Sequence, residues 1–361
     1  MGKSIVFTVT TDLNHDQRMQ RIAGTLANAG FSVTLVGREL PQSLPLKPAN
    51  FKQHRISCIF LKGPLFYLEY NLRLIFWFLF QKFDIYGTVD ADTALAGIIT
   101  NFWRRKPLVF DAHELFPEMP EVTHRTWVKK VWAWLEEKAF QRSDVAYTVS
   151  GSLVHYFQKK YRAPVHLIRN MPFRKPFTPS APPSTPYYIY QGALNVGRGL
   201  ENAIAAMASV PAQLMICGDG PLADVLRQQV QDAGLQNKII FKGNVAPDEL
   251  STLTASAYAG LMLLDNQGLS YYYSLANKFF DYVQAGIPQI CVPFPEYQRL
   301  NEEHEVAVLT NNTVEEVRNA LLMLLNEQQT YTRLTQNTLK AREQWNWEQE
   351  GPRLVQLYNS L

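Results

Sequence analysis

Cysteine is scarce in this chain: three among 361 residues, Cys58, Cys217 and Cys291, far apart and without a CxxC pair. That spacing excludes a disulfide framework and a cysteine-rich zinc site. Cys217 and Cys291 lie inside apolar, strand-like runs and read as small buried hydrophobes. Long blocks of basic residues are also lacking, and the net charge is only +3, so nothing marks a nucleic-acid partner. No uninterrupted apolar run approaches the ~20 residues that span a bilayer. The nearest approach, PLFYLEYNLRLIFWFLF at 64–80, is broken by Glu69, Asn71 and Arg73. It reads first as a buried helix of a large domain. The alternative is a helix lying on a membrane surface, with Arg73, Lys82, Arg104, Arg105 and Lys106 near lipid phosphates. Met-Gly-Lys leads directly into a short strand without the pattern of an export leader. The expected location is therefore cytoplasmic, and peripheral at the inner face of the membrane under the second reading.

What is present is a globular composition, 47% apolar and 19% charged, at a length suited to two domains. Strands are expected at 4–9, 31–36, 56–61, 85–88, 108–111 and 145–149, with helices between them. The first helix has Asp16 as cap and Met19, Ile22, Ala23 and Leu26 on one face. Six prolines crowd the sixteen residues 171–186, which can continue neither helix nor sheet. The alternation then restarts, with strands at 187–190, 213–217, 239–242, 259–264, 289–292 and 306–309. This rhythm predicts α/β architecture: two doubly wound Rossmann-like domains facing a cleft. The boundaries are 1–172 for the first domain, 173–186 for a proline-rich linker and 187–343 for the second domain. An amphipathic C-terminal helix is expected at 344–361.

In doubly wound sheets ligands gather at the carboxyl ends of strands. His113 stands two residues beyond an expected strand, in Asp111-Ala-His-Glu114, near Glu118. Beside carboxylates it is a candidate for contacting a substrate or phosphate oxygen. HELFPE has no second His four residues on, so it is not a zinc-protease motif. In the second half, Gly192-Ala-Leu-Asn-Val-Gly197-Arg198-Gly199 follows a strand and opens a helix. Arg198 is suited to bidentate contact with phosphate. Cys217-Gly-Asp-Gly-Pro221 is another strand-to-helix turn, without GxGxxG spacing.

The most informative stretch is SYYYSLANKFFDYVQAGIPQI at 270–290. It reads as loop, helix, glycine stop and buried strand, with Ser274 as N-cap and Gly286 as terminator. Lys278 and Asp281, three apart, share a helix face with Ser274. A cation, a carboxylate and a helix N-terminus in one place suit a ligand bearing phosphates and a diol.

In this order the motifs resemble the GT-B fold retaining glycosyltransferases, especially glycosyltransferase family 4. The likeness rests on Asp16-x-Arg18, DAHE at 111–114, Thr148-Val-Ser150, Asn170-Met-Pro172, GxLxxGRG at 192–199, GDGP at 218–221, FKGNV at 241–245 and NKFFDY at 277–282. The resemblance implies transfer of a sugar from a nucleotide-diphosphate donor, a UDP- or GDP-sugar, to a glycan or lipid-linked acceptor. It implies retained anomeric configuration, a place in cell-surface polysaccharide assembly, and neither metal nor other cofactor. It also implies that 1–172 is the acceptor-binding domain, that 187–343 is the nucleotide-sugar-binding domain and that the helix at 344–361 returns to the first domain. His113, Arg198 and Lys278 become the catalytic candidates. Gly197, Gly199, Asn244, Tyr273, Ser274, Leu275 and Asp281 become donor contacts, and Asp16, Arg18 and Glu114 lie on the acceptor side. The chain departs from the family's Glu–seven residues–Glu pattern: Tyr273 replaces the first Glu and Asp281 the second. The alternatives are a sugar-nucleotide epimerase of the same fold and a non-catalytic sugar-nucleotide-binding protein.

Overall fold

The computed structural model describes residues 2–176 and 185–361. The central part of the expected proline-rich linker, 177–184, lies outside the described residues. The chain divides into two compact units, one of Met1–Asn170, Gly268–Ser270 and Glu350–Leu361, the other of Met171–Gln267 and Tyr271–Gln349.

The first unit holds a sheet of β1 (Ser4–Thr8), β2 (Ser32–Glu39), β3 (Lys52–Ser57), β4 (Ile85–Val89), β5 (Leu108–Ala112), β6 (Val145–Thr148) and β7 (His166–Leu167). Their order is β3-β2-β1-β4-β5-β6-β7, and every pair is parallel. β4 and β5 are buried along their whole lengths, as a sheet covered on both faces requires. The helix Gln17–Asn28 begins where Asp16 accepts the Met19 amide at 2.9 Å, and it buries Met19, Ile22, Ala23 and Leu26. The helix Pro64–Leu79 packs Phe66, Tyr70, Leu74 and Phe78 into the core, and the Tyr70 hydroxyl donates to the Val9 carbonyl at 2.6 Å. From the last helix, Trp347–Asn359, Tyr358 packs its ring 5.8 Å from that of Phe7.

The third strand differs from the expectation of 56–61: it lies at Lys52–Ser57. It is a polar edge strand whose Arg55 reaches Asp12 at 2.7 Å. Beyond it, the Ile59 and Phe60 amides donate to the Glu69 carboxylate and leave the sheet. β7 has only two residues, too few to show a period in sequence.

The second unit holds β8 (Tyr187–Gln191), β9 (Gln213–Cys217), β10 (Ile239–Gly243), β11 (Ala259–Met262), β12 (Gln289–Cys291) and β13 (Ala307–Leu309), in the order β10-β9-β8-β11-β12-β13 and again all parallel. Both sheets therefore reverse their winding beside their first strand, between β1 and β4 and between β8 and β11. Tyr188, Leu214, Ile216 and Leu261 fill one core layer, and Phe279, Phe280, Val283, Tyr297 and Trp345 build another.

Gly260 in β11 is a packing requirement. A Cβ placed there would lie 2.4 Å from the ring of Tyr282, whose hydroxyl donates to Leu261 O at 3.2 Å. Gly260→Ala is therefore expected to destabilise the second unit by about 1–3 kcal/mol, the usual cost of overpacking. Urea unfolding of the two proteins side by side measures it, and an unchanged midpoint would contradict this account.

Candidate active site

In the second unit the end of β8, the turn after it and the start of the helix Asn277–Ala285 enclose a cavity of about 310 Å³. Tyr190, Gln191, Gly192, Arg198, Lys278 and Asp281 line it. The Lys278 ammonium sits 3.8 Å from the centroid of the Tyr190 ring, and the Arg198 guanidinium lies 5.2 Å from that of Tyr271. Arg198 Nε is buried without a hydrogen-bond partner among the described residues. Burial, together with the nearby Arg198 charge, pulls the Lys278 pKa well below its ordinary value, against the opposing pull of Asp281. Two cations crowd one small space, an arrangement that an anion would relieve.

Asp281 is held by a relay. Thr254 donates to Gln191 Oε1 at 2.8 Å, and Gln191 Nε2 donates to Asp281 Oδ2 at 3.0 Å. Gln191 and Thr254 carry no motif, and only the position of Gln191 at a strand end could have marked it.

The helix start differs from the sequence expectation. Ser274 is not its N-cap: the helix begins at Asn277, behind Ala276, with no side-chain cap, and Ser274 Oγ donates to Tyr271 O at 2.7 Å. The reason is local. A short helix, Leu269–Tyr272, ends just before Ser274 and takes its hydroxyl, while the Ala276 amide donates to the Tyr297 hydroxyl at 3.0 Å. Lys278 thereby falls in the first helical turn, and Ala276 and Asn277 reach the cavity wall. Leu275 is buried in the core. Tyr273 follows the short helix, its ring 5.3 Å from that of Tyr272, and Asn244 is exposed beyond β10.

Gly197 and Gly199 both have positive φ, 81° and 70°. A Cβ on Gly197 would lie 2.8 Å from the Gln267 side chain, and one on Gly199 would lie 2.8 Å from Leu263. These two glycines thus serve the protein's own packing and present Arg198 between them.

The first unit has its own polar cluster at the β1/β4 reversal. Arg18 is buried and turned inward: Nη2 pairs with Asp111 Oδ1 at 2.9 Å, Nε reaches Asp111 Oδ2 at 3.2 Å, and Nη1 donates to Ile168 O at 3.1 Å. Asp16 spends its carboxylate on the Met19 amide and on Thr11 Oγ1, at 2.6 Å. His113 Nε2 lies 2.7 Å from Arg18 Nε and 2.8 Å from Asp111 Oδ2. Carrying a proton, that nitrogen donates to Asp111; without one, it accepts from Arg18. Burial opposes the charged ring, but Asp111 and Asp90 outweigh it and raise the His113 pKa.

Asp90 and Asp92 bear no recognised motif, although Asp90 directly follows β4. Asp90 has φ 56°, a left-handed conformation that costs energy outside glycine. It accepts the His113 amide at 2.7 Å and the exposed Glu114's amide at 3.3 Å, fixing the loop after β5. Asp92 accepts from Thr10 Oγ1, and burial pushes its carboxyl up to about 7.

Residues 17–171 match the family model described as Glycosyltransferase Family 4, and residues 174–341 match that described as Glycosyl transferases group 1. A segment of 87 residues, 22% of this chain and 20% of the relative, is 30% identical to alpha-monoglucosyldiacylglycerol synthase of Streptococcus pneumoniae. The chain thus spans a fifth of the length of the curated relative it matches. Among solved structures, sucrose-phosphate synthase of Thermosynechococcus elongatus superposes with a TM-score of 0.83 at 16% identity, over 99% of this chain and 98% of that one. HepE of Anabaena, in complex with UDP and glucose, gives 0.79 at 15% identity, over 99% of this chain and 100% of that one. These likenesses define the class of fold, that of glycosyltransferases built from two Rossmann-like domains. The two family models between them span most of the sequence, and the chain belongs to these glycosyltransferase families.

Asp92 yields a pH test. Its carboxyl titrates at about 7 in the folded chain and near 3.8 when unfolded, so between those values the folded state holds a proton that the unfolded chain has released. The stability of the first unit should therefore fall as pH rises through that window. Asp92→Asn, which keeps an acceptor for Thr10, should flatten the fall. Urea unfolding followed across the window checks this; parallel losses in parent and variant would remove Asp92 as the source.

Proposed function

We propose that this protein is a retaining glycosyltransferase that takes a sugar from a nucleotide-diphosphate donor and places it on a glycan or lipid-linked acceptor, in the assembly of cell-surface polysaccharide. The observation that carries the proposal is the pairing of Arg198 and Lys278 in one cavity that Asp281 also lines. Two cations that repel each other in the free chain are a preformed receptor for a diphosphate, and a carboxylate accepts from a ribose diol. The UDP-glucose complex of Anabaena HepE supports a UDP-sugar as donor. The relative named for a monoglucosylated diacylglycerol supports a lipid-borne acceptor, which we assign to the first unit.

In the reaction the bond from the anomeric carbon to the diphosphate oxygen breaks, and a bond to the acceptor oxygen forms on the same face. The acceptor's hydroxyl proton passes to the departing diphosphate. Negative charge grows on that leaving group as the bond stretches. Arg198 and Lys278 stand ready for it without reorganising, so catalysis is chiefly electrostatic. No general base is required of Tyr273, which occupies the place of a family carboxylate. His113 is a protonatable group on the acceptor side, beside Asp90 and Asp111.

Thermal unfolding with UDP, GDP, ADP, CMP and dTDP is the direct test. A matching nucleotide at a hundredfold excess over its Kd should add about 2.7 kcal/mol of stability. The gain should vanish in Asp281→Ala. Arg198→Ala and Lys278→Ala should each lower turnover by roughly 100- to 1000-fold while remaining folded. Undiminished transfer by both variants would refute the site, and a product of inverted configuration would refute retention. Selective binding without turnover on any acceptor would favour the non-catalytic reading that Tyr273 suggests.

A further inference from the structure

The helix Pro64–Leu79 is apolar on both sides. Phe66, Tyr70, Leu74 and Phe78 fill the core. A second stripe, Leu65, Leu68, Leu72, Phe76 and Leu79, follows the same helical spacing and is exposed, with Phe76 at 64%. Phe80, at 71% exposure, extends the stripe and meets Phe76 edge to face at 5.2 Å. Arg104 Nη2 donates to Phe78 O and Leu79 O, both at 3.0 Å, which seats the end of the helix Asp90–Arg104 beside this one. That end brings Phe102, 77% exposed, and Trp103. The helix Thr126–Arg142 joins the group through Tyr67 and Trp132, whose rings meet at 5.0 Å, and it exposes Trp127, Val131 and Trp134 along a helical line. An outer apolar stripe of this length contributes nothing to the fold, and patches of this kind mark interaction surfaces.

The charge around these stripes selects the partner. Segments 59–84, 101–106 and 124–142 hold eleven Lys and Arg against four Asp and Glu, a net of +7 in a chain whose total is +3, so the remainder is net −4. A second copy of the chain would set this basic surface against itself, a juxtaposition that costs free energy. An anionic bilayer accepts both features: aromatic and leucine side chains enter the acyl boundary while Lys and Arg reach lipid phosphates. No helix among the described residues is long and apolar enough to cross a membrane, so the contact lies in the interface plane. We infer that the outer face of these helices docks the protein onto an anionic lipid surface. The inference stands apart from the donor chemistry, since it uses no residue of the cavity in the second unit.

Vesicle co-sedimentation of the full chain tests it, with phosphatidylcholine alone and with phosphatidylcholine and phosphatidylglycerol in equal parts. Binding should be at least ~10-fold tighter to the anionic vesicles and should weaken with salt. Lys82→Gln, Arg105→Gln and Lys130→Gln should each weaken it, by about fivefold per charge. The combination Phe76→Ser, Phe80→Ser and Phe102→Ser should abolish it; all three side chains are exposed, and if the combination unfolds, Phe102→Ser alone serves. Equal affinity for both vesicle types, absence of binding, or indifference to the apolar substitutions would overturn the inference. So would a dimer in analytical ultracentrifugation that the same substitutions dissolve, because the face would then cover a second copy.

Discussion

Parallel pairing is the constraint on which the rest of this protein depends. In each unit every strand runs the same way, so every strand end, with the loop that leaves it, arrives at one edge of the sheet. Reversal of the winding beside the first strand then opens that edge at one point, between β1 and β4 and between β8 and β11. Distant stretches of the sequence meet near these points: Arg18 and Asp90 join Asp111 and His113 in the first unit, and Gln191 and Arg198 join Lys278 and Asp281 in the second. Parallel strands also need long crossovers, and burial of both sheet faces by those crossovers gives the polar clusters their low-dielectric surroundings.

The two clusters handle buried charge in opposite ways. In the first unit, the buried Arg18 and Asp111 neutralise each other through paired hydrogen bonds, and His113 shares the same carboxylate. Burial then turns against the carboxyls that lack a comparable cation, and raises those of Asp90 and Asp92. In the second unit the excess is positive, and burial and Arg198 together work against the charge of Lys278. The first arrangement is self-contained, whereas the second is left with an excess of positive charge, which is why we propose it as the site of the donor diphosphate.

The helix Pro64–Leu79 joins the acceptor question to the surface of the molecule. Its inner stripe supports the sheet whose strand ends hold the His113 cluster, and its outer stripe forms the apolar face with its basic surroundings. Of the two readings of this segment, the buried core helix is what its inner side shows, and the interfacial helix is our inference from its exposed outer side. If the acceptor is lipid-borne, docking by this unit would bring protein and acceptor to the same surface.

The sequence by itself determined the two-fold α/β rhythm, because apolar strand runs and amphipathic helices have distinct local periods. It also singled out His113, Arg198, Lys278 and Asp281, since these stand just past strand ends or on one face of a helix. It misplaced the third strand, whose edge position makes it polar, and the start of the helix behind Ala276, where Tyr271 O captured the hydroxyl of Ser274. Tertiary structure alone decided the partners. Gln191 meets Asp281 across ninety residues and Thr254 across sixty-three, and Arg18 finds Asp111 across ninety-three. It turned Arg18 inward, and it gave Asp90 and Asp92 their raised carboxyls. Desolvation and pairing depend on what surrounds a group in space, and no local pattern in the chain records that.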